Sequence, residues 1–301
     1  MTSSGVETMS LPARMQQWDE SSWCLAALAL TAGERDSADD ARTRAARGVV
    51  AASGLLAADG RLLLPDGASS RQVAAQATQP LLLLAATMAG QEASWMALPD
   101  EALIAQGEAS GQMAPAFQQL VLPRLTGLSE RLGRPGASML DVGTGIGAIA
   151  TAMAGAFPQL RVTGIDVAPR VLALAHRRLA DLDVQDRVTL REQSMAELAE
   201  TDTYDLIWVP APFVGQPALG QGLARAAAAL KPGGWLMLGH GRLSDEAPLQ
   251  QALTRFKTAV YGGTALDDDA AAAALTVQGL VEVTRIPAPP GAPAITVGRR
   301  Q

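Results

Sequence analysis

Apolar residues along the first part of the chain recur at helical spacing, whereas from Ala137 onward they gather into short runs divided by helical stretches. In the first part, residues 18–32 and 38–53 read as two helices. Gly54-Leu55-Leu56, followed by Asp59-Gly60-Arg61-Leu62-Leu63-Leu64, predicts a short hairpin on an Asp-Gly turn. Helix, helix and hairpin together suggest a small winged-helix-like unit. Ser69 with Gln72 forms a capping box that opens a helix running to about Ala89, and further helices are expected after Asp100 and Pro115.

Strands are predicted near 138–142, 161–166, 187–192, 204–209 and 233–239, alternating with helices as in a doubly wound parallel sheet. A last pair, 280–286 and 293–299, flanks a Pro-rich turn too short for a parallel crossover, so the final strand should run antiparallel. The expected fold class is α/β: a seven-stranded, mostly parallel sheet preceded by a mainly helical domain. The change of pattern puts the boundary between 1–134 and 135–301. The alanine runs 226–229 and 270–274 are helix formers.

A formal charge of −6 argues against a surface that tracks phosphates, so nucleic acid is not expected as a partner. Cys24 is the only cysteine, which excludes an intrachain disulfide and a multi-thiolate metal site and fits a reducing compartment. Asp19 and Glu20 precede the first apolar stretch where a signal peptide needs positive charge, and the greasy run 80–90 is about half the ~20 residues of a membrane span. A soluble, cytoplasmic protein without membrane contact is the expectation. The run 81–84 and the apolar front helices, with Trp18 and Trp23, present more greasy surface than a small helical unit buries alone, which predicts a homodimer.

Chemistry concentrates at Met139-Leu140-Asp141-Val142-Gly143-Thr144-Gly145-Ile146-Gly147. A strand ends in an acid, three alternating glycines follow, and a helix begins, which points to a nucleotide-like ligand lying close against the backbone. Gly143-x-Gly145-x-x-Ala148 also satisfies the dinucleotide fingerprint, which alone is weak evidence. Asp166, ending the second strand, suits ribose hydroxyls in either case, or an N-cap after Val167.

Asp141 two residues before the first glycine, together with Leu230-Lys231-Pro232-Gly233-Gly234-Trp235 and the closing antiparallel pair, resembles class I S-adenosylmethionine-dependent methyltransferases over 137–300. The helical front resembles that of small-molecule O-methyltransferases with winged-helix-like dimerisation regions. The resemblance implies S-adenosylmethionine as cofactor and S-adenosylhomocysteine as product. It implies cofactor contacts from Asp141, Gly143, Thr144, Gly145, Gly147, Asp166, Val167, Ser194, Met195, Val209 and Pro210. Thr144 would offer its amide and hydroxyl, and Asp141 would orient the turn or meet the cofactor's cationic end. Ser194 departs from the acid common in the family near adenine, and Ser194-x-x-Glu197 also reads as a capping box, leaving backbone contact through Ser194 or Met195.

The family's catalytic His just beyond the fourth strand is missing from 210–215. Of the two histidines, His176 reads as a helix-end cation, and His240, flanked by glycines after the fifth strand, is the one imidazole placed to act as a base. Trp95, Met96, Phe213 and Tyr261 are candidates for an aromatic lid over an apolar acceptor, with core packing the competing reading. The function expected is methyl transfer to oxygen, nitrogen or carbon of a small apolar metabolite, mainly by proximity and orientation. Three alternatives stand beside it. Pro210-Ala211-Pro212-Phe213 faintly resembles the loop of nucleic-acid amino-methyltransferases, the glycine spacing allows a nicotinamide oxidoreductase, and the missing base allows a protein that binds the cofactor without transfer.

Overall fold

The computed structural model describes residues 9–33, 40–64, 69–89, 98–111, 113–241, 248–287 and 294–301. The chain divides into two compact units, Met1–Leu82 and Leu83–Gln301. The division lies well before the change of pattern at 134/135, because helices that precede the sheet in sequence pack onto it.

In the first unit, α1 (Leu11–Ala32) and α2 (Ala41–Ala52) pack on each other, and α3 (Ser70–Met88) begins. Asp40 caps α2 by accepting the Thr43 amide at 2.8 Å. The Ser69 and Gln72 box forms reciprocally, the Gln72 amide donating to Ser69 Oγ at 3.2 Å and the Ser69 amide to Gln72 Oε1 at 2.8 Å. The hairpin is a single antiparallel bridge between Leu56 and Leu62. Its loop is held by the Ala57 amide on Arg61 O and the Gly60 amide on Ala57 O, with Gly60 at φ +80°. That is a three-residue loop closed by a left-handed glycine rather than a two-residue turn. Ala27, Ala46 and Val50 form a small core with Leu28, Leu56 and Leu62.

The second unit is built on a seven-stranded sheet ordered β3-β2-β1-β4-β5-β7-β6. Short helices α4 (Asp100–Gly111), α5 (Met113–Ala116) and α6 (Leu128–Leu132) precede it, with a π-helical turn at Phe117–Val121. Then follow β1 (Ser138–Val142), α7 (Ala148–Ala156), β2 (Arg161–Asp166), α8 (Pro169–Leu179), β3 (Val188–Glu192), β4 (Tyr204–Pro210), α9 (Gln216–Ala229), β5 (Leu230–His240), α10 (Pro248–Val260), α11 (Asp268–Val277), β6 (Val281–Ile286) and β7 (Ala294–Arg299). The first five strands pair in parallel, and β7 runs antiparallel to both β5 and β6.

The central strands are apolar throughout because both faces are covered. Met139, Leu206, Trp208, Trp235 and Met237 face one layer with Phe117 and Met153, while Leu140, Val142, Ile207, Val209 and Leu238 face the other with α9 and α11. No helix among the described residues is long and apolar enough to cross a membrane.

Candidate functional site

The strand order reverses between β1 and β4, so the crevice for a ligand opens at the carboxyl ends of these strands. There the glycine turn adopts left-handed backbone at Gly143 (φ +61°), Gly145 (+57°) and Gly147 (+73°). It folds down on β2, where the Thr144 amide donates to Ile165 O at 2.9 Å. The approach is close because Gly164 has no side chain, and a Cβ there would lie 2.6 Å from Thr144 Oγ1. A glycine in the interior of β2 is the sequence signal of this contact.

Two carboxylates bracket the turn. Asp141 is buried and accepts the Thr144 hydroxyl at 2.7 Å. Burial pushes its carboxyl up to about 7, with Asp166 adding to the rise and the Thr144 hydroxyl opposing it. Asp166 accepts the Gly145 amide at 2.9 Å on one oxygen and the Ala168 amide at 3.0 Å on the other, so it ties the turn to the start of α8. Burial raises its pKa too, against those two amides.

Three backbone donors of the turn are therefore committed internally: Thr144 to Ile165, Gly145 to Asp166, and Gly147 to Thr144 O at 2.9 Å. Thr144, expected to offer its amide and hydroxyl to a ligand, gives both to the protein. Over Gly145 the space is open, for a Cβ there would meet no atom within 4 Å. Next to the turn stands Pro210, whose Cγ is 3.7 Å from the Cβ position of Gly143. Val167, just past Asp166, exposes 69% of its surface at this edge.

Other predicted positions fall differently. The Val209 side chain is buried in the core layer with Leu140 and Val142. Ser194 realises its capping box: its hydroxyl accepts the Ala196 amide at 3.2 Å and its own amide donates to Glu197 at 3.1 Å. Its amide is thereby unavailable to an adenine. The Met195 side chain turns inward against α9, where a Cβ on Gly222 would lie 2.4 Å from Met195 Cγ.

His240, the expected base, ends β5 but is sealed in, with 1% of its surface exposed. Its Nδ1 lies 3.1 Å from Gly241 O and its Nε2 2.9 Å from Thr296 Oγ1, a pattern that a neutral ring satisfies as donor at Nδ1 and acceptor at Nε2. Burial pushes its pKa down. With both nitrogens engaged and no open face, the imidazole is placed to hold the end of β5 rather than to take a proton from a ligand.

Phe213 and Tyr261 are brought together as a stack, with centroids 5.2 Å apart and planes 26° apart. Trp95 and Met96 lie outside the described residues. Sequence reasoning also missed the cover supplied by α4. Leu98, Ala102 and Leu103 pack with Ile146, Ala148, Val171 and Leu174, and a Cβ on Gly107 would lie 2.2 Å from Ile146 Cγ1. The start of α4 is fastened to α8, where Arg170 Nε donates to Asp100 at 3.0 Å and Arg177 lies 3.7 Å from the same carboxylate.

This sheet order, with its last strand antiparallel, is that of the Rossmann-like methyltransferase fold. Residues 139–234 match the family described as "Methyltransferase domain". A release factor glutamine methyltransferase of Rhodopirellula baltica is 33% identical over 127 residues, covering 42% of this chain and 43% of its own. A 27-O-demethylrifamycin SV methyltransferase of Amycolatopsis mediterranei is 34% identical over 120 residues, covering 38% and 44%. The chain thus spans less than half the length of these relatives. An O-methyltransferase family protein from Burkholderia thailandensis shares the fold over 97% of this chain and 96% of its own, with a TM-score of 0.65 and 19% identity.

Proposed function

We propose that this protein transfers the methyl group of S-adenosylmethionine to an oxygen, nitrogen or carbon atom of a small, largely apolar metabolite. The observation that carries the reading is the state of the glycine turn. A pyrophosphate needs the turn's backbone N–H groups and a positive field. Here the amides of Thr144, Gly145 and Gly147 are committed to the protein, and Asp141 and Asp166 bracket the turn. Such a site disfavours an anion and suits a cation with a ribose diol.

When bound, S-adenosylmethionine supplies a methyl group activated on a sulfonium. Asp166 is the residue to hold the ribose, since each oxygen accepts one amide and keeps a second lone pair for a hydroxyl. Asp141, buried under the turn, would place its charge near the cofactor's cationic end, and the open space over Gly145 would admit the ligand's body. Pro210 and the segment after β4 border the acceptor side. With His240 enclosed, the chain's contribution to rate is orientation of an acceptor that is already nucleophilic, and proximity alone supplies much of a barrier reduction.

A glutamine or nucleobase amino acceptor is the weaker reading. Pro210 stands at the position from which a side chain would have to bind the amino group, and its ring carries no acceptor. The test is intrinsic fluorescence titrated with S-adenosylhomocysteine and, separately, with NADH. S-adenosylhomocysteine should bind and NADH should not; the reverse result refutes the proposal. Asp166→Ala should weaken S-adenosylhomocysteine by roughly 10- to 100-fold, the loss expected for charge-assisted hydrogen bonds. An unchanged affinity would remove Asp166 from the site.

A further inference from the structure

Helix α10 is lightly held: of its 13 residues only Thr258 is buried, and Leu249, Leu253 and Phe256 are exposed. Its end is built as a turn. The Gly262 amide donates to Ala259 O and the Gly263 amide to Thr258 O, each at 3.0 Å, a pair of bonds that closes a helix through a left-handed residue. Gly262 supplies that residue at φ +72°.

The two sides of this turn are held very differently. Beyond it, the Thr264 amide donates to Ala211 O and the Thr264 hydroxyl to Val214 O, both at 2.8 Å, and a Cβ on Gly263 would lie 1.8 Å from Pro212 O. That side is an anchor on the residues that follow β4. Before the turn, Val260 and Tyr261 pack, only partly buried, against the cluster that contains Ile146 and Ala148 at the glycine turn and Val171 on α8. The segment therefore joins the carboxyl end of β4 to the start of α7, and so bridges the two sides of the crevice.

We propose that α10 with Tyr261 is a gate over the crevice, which pivots at Gly262 on the Thr264 anchor and swings off the Ile146 cluster to let S-adenosylmethionine enter and S-adenosylhomocysteine leave. The inference rests on the methyl-transfer reading and adds to it the step that limits cofactor exchange. An element with few buried contacts opens at small cost, whereas two hydrogen bonds and a close backbone approach keep the anchor in place. A glycine at the junction absorbs the change of backbone angles that the swing requires. Closed, such a gate keeps water from the site.

The experiment follows S-adenosylhomocysteine association with the full chain by stopped-flow intrinsic fluorescence at rising ligand concentration. The wild-type rate should level off at a plateau set by opening of the gate. Val260→Ala trims the closing contact by two partly buried carbons and should raise the plateau and the dissociation rate together, each about three- to tenfold, so that Kd moves less than either rate. Gly262→Ala places its Cβ where no atom lies within 4 Å and acts through the strained backbone alone; it should move both rates in the same direction. Melting temperatures near that of the wild type show that the variants fold. A wild-type rate that climbs linearly with concentration, or a plateau that both folded variants leave in place, overturns the gate while leaving methyl transfer standing. Failure of S-adenosylhomocysteine itself to bind would instead strike the methyl-transfer reading and this inference with it.

Discussion

Burial lifts the Asp141 carboxyl to about 7, so this residue links stability, ligand binding and pH. Because its folded value lies above the ordinary one of 3.8, the folded chain holds the proton more tightly than the unfolded chain. Stability is therefore lost as pH rises between those values, and the penalty is complete above about 7. Asp141→Asn keeps the shape and removes the charge. It should raise the melting temperature of the ligand-free protein at pH 8 and change it little at pH 4, with a gain on the order of 2 to 4 kcal/mol at the upper pH. Equal melting shifts at both pH values would contradict this. The same substitution should weaken S-adenosylmethionine in calorimetry, and wild-type affinity should fall below pH 7 by up to about tenfold per unit, as a cation demands the ionised carboxylate. The identities of Asp141 and Asp166 and their place at strand ends were legible in sequence. The capping box that engages the Ser194 amide was legible as well, because Glu197 lies three residues on; the commitment of the Thr144 amide was not, since its bond to Ile165 depends on how the turn docks on β2.

Helix α4 shows how an element with an unremarkable pattern becomes part of a site. Its residues alternate without a strong apolar face, yet Gly107 and Gly111 let its backbone press on Ile146 and Ala148 at the start of α7. Gly107→Leu would drive a side chain into the buried Ile146 and lift α4 from the turn. A loss of about 1 to 3 kcal/mol is expected, as for other overpacked contacts, seen as a lower urea midpoint together with weaker S-adenosylhomocysteine binding. A midpoint and affinity like those of the wild type would show that α4 does not bear on the turn. The segment Leu230 to Gly234 teaches the converse. It carries part of the resemblance read from the sequence, but it lies at the amino edge of the sheet, where Leu230 pairs with Tyr204, away from the crevice. There Lys231 Nζ and Arg131 reach the buried Asp205 at 2.6 and 3.0 Å, and the Ser138 amide donates to it at 3.0 Å. Its contribution is to the sheet, not to the chemistry.

At the scale of the molecule, the front unit carries a set of exposed apolar side chains on α1: Leu11, Met15 and Trp18 at helical spacing, then Trp23 and Leu30. Apolar surface of this kind in a small helical unit marks an association face, and we propose that two copies of the chain meet there. Sedimentation at micromolar concentration should give about twice the chain mass, and Trp18→Glu with Trp23→Glu should shift it toward the monomer. A wild-type monomer would refute the proposal. The sequence by itself determined the elements, the sheet class and its antiparallel end, because periodicity, glycine turns and caps act through neighbours a few residues apart. It also placed the glycine turn, Asp141 and Asp166. The tertiary structure alone decided that His240 is enclosed by Thr296 from 56 residues away, that Val209 and Met195 face the core, and that Tyr261 meets Phe213. Those outcomes depend on which strand lies beside which and on what one layer of packing leaves open, and no local pattern encodes them.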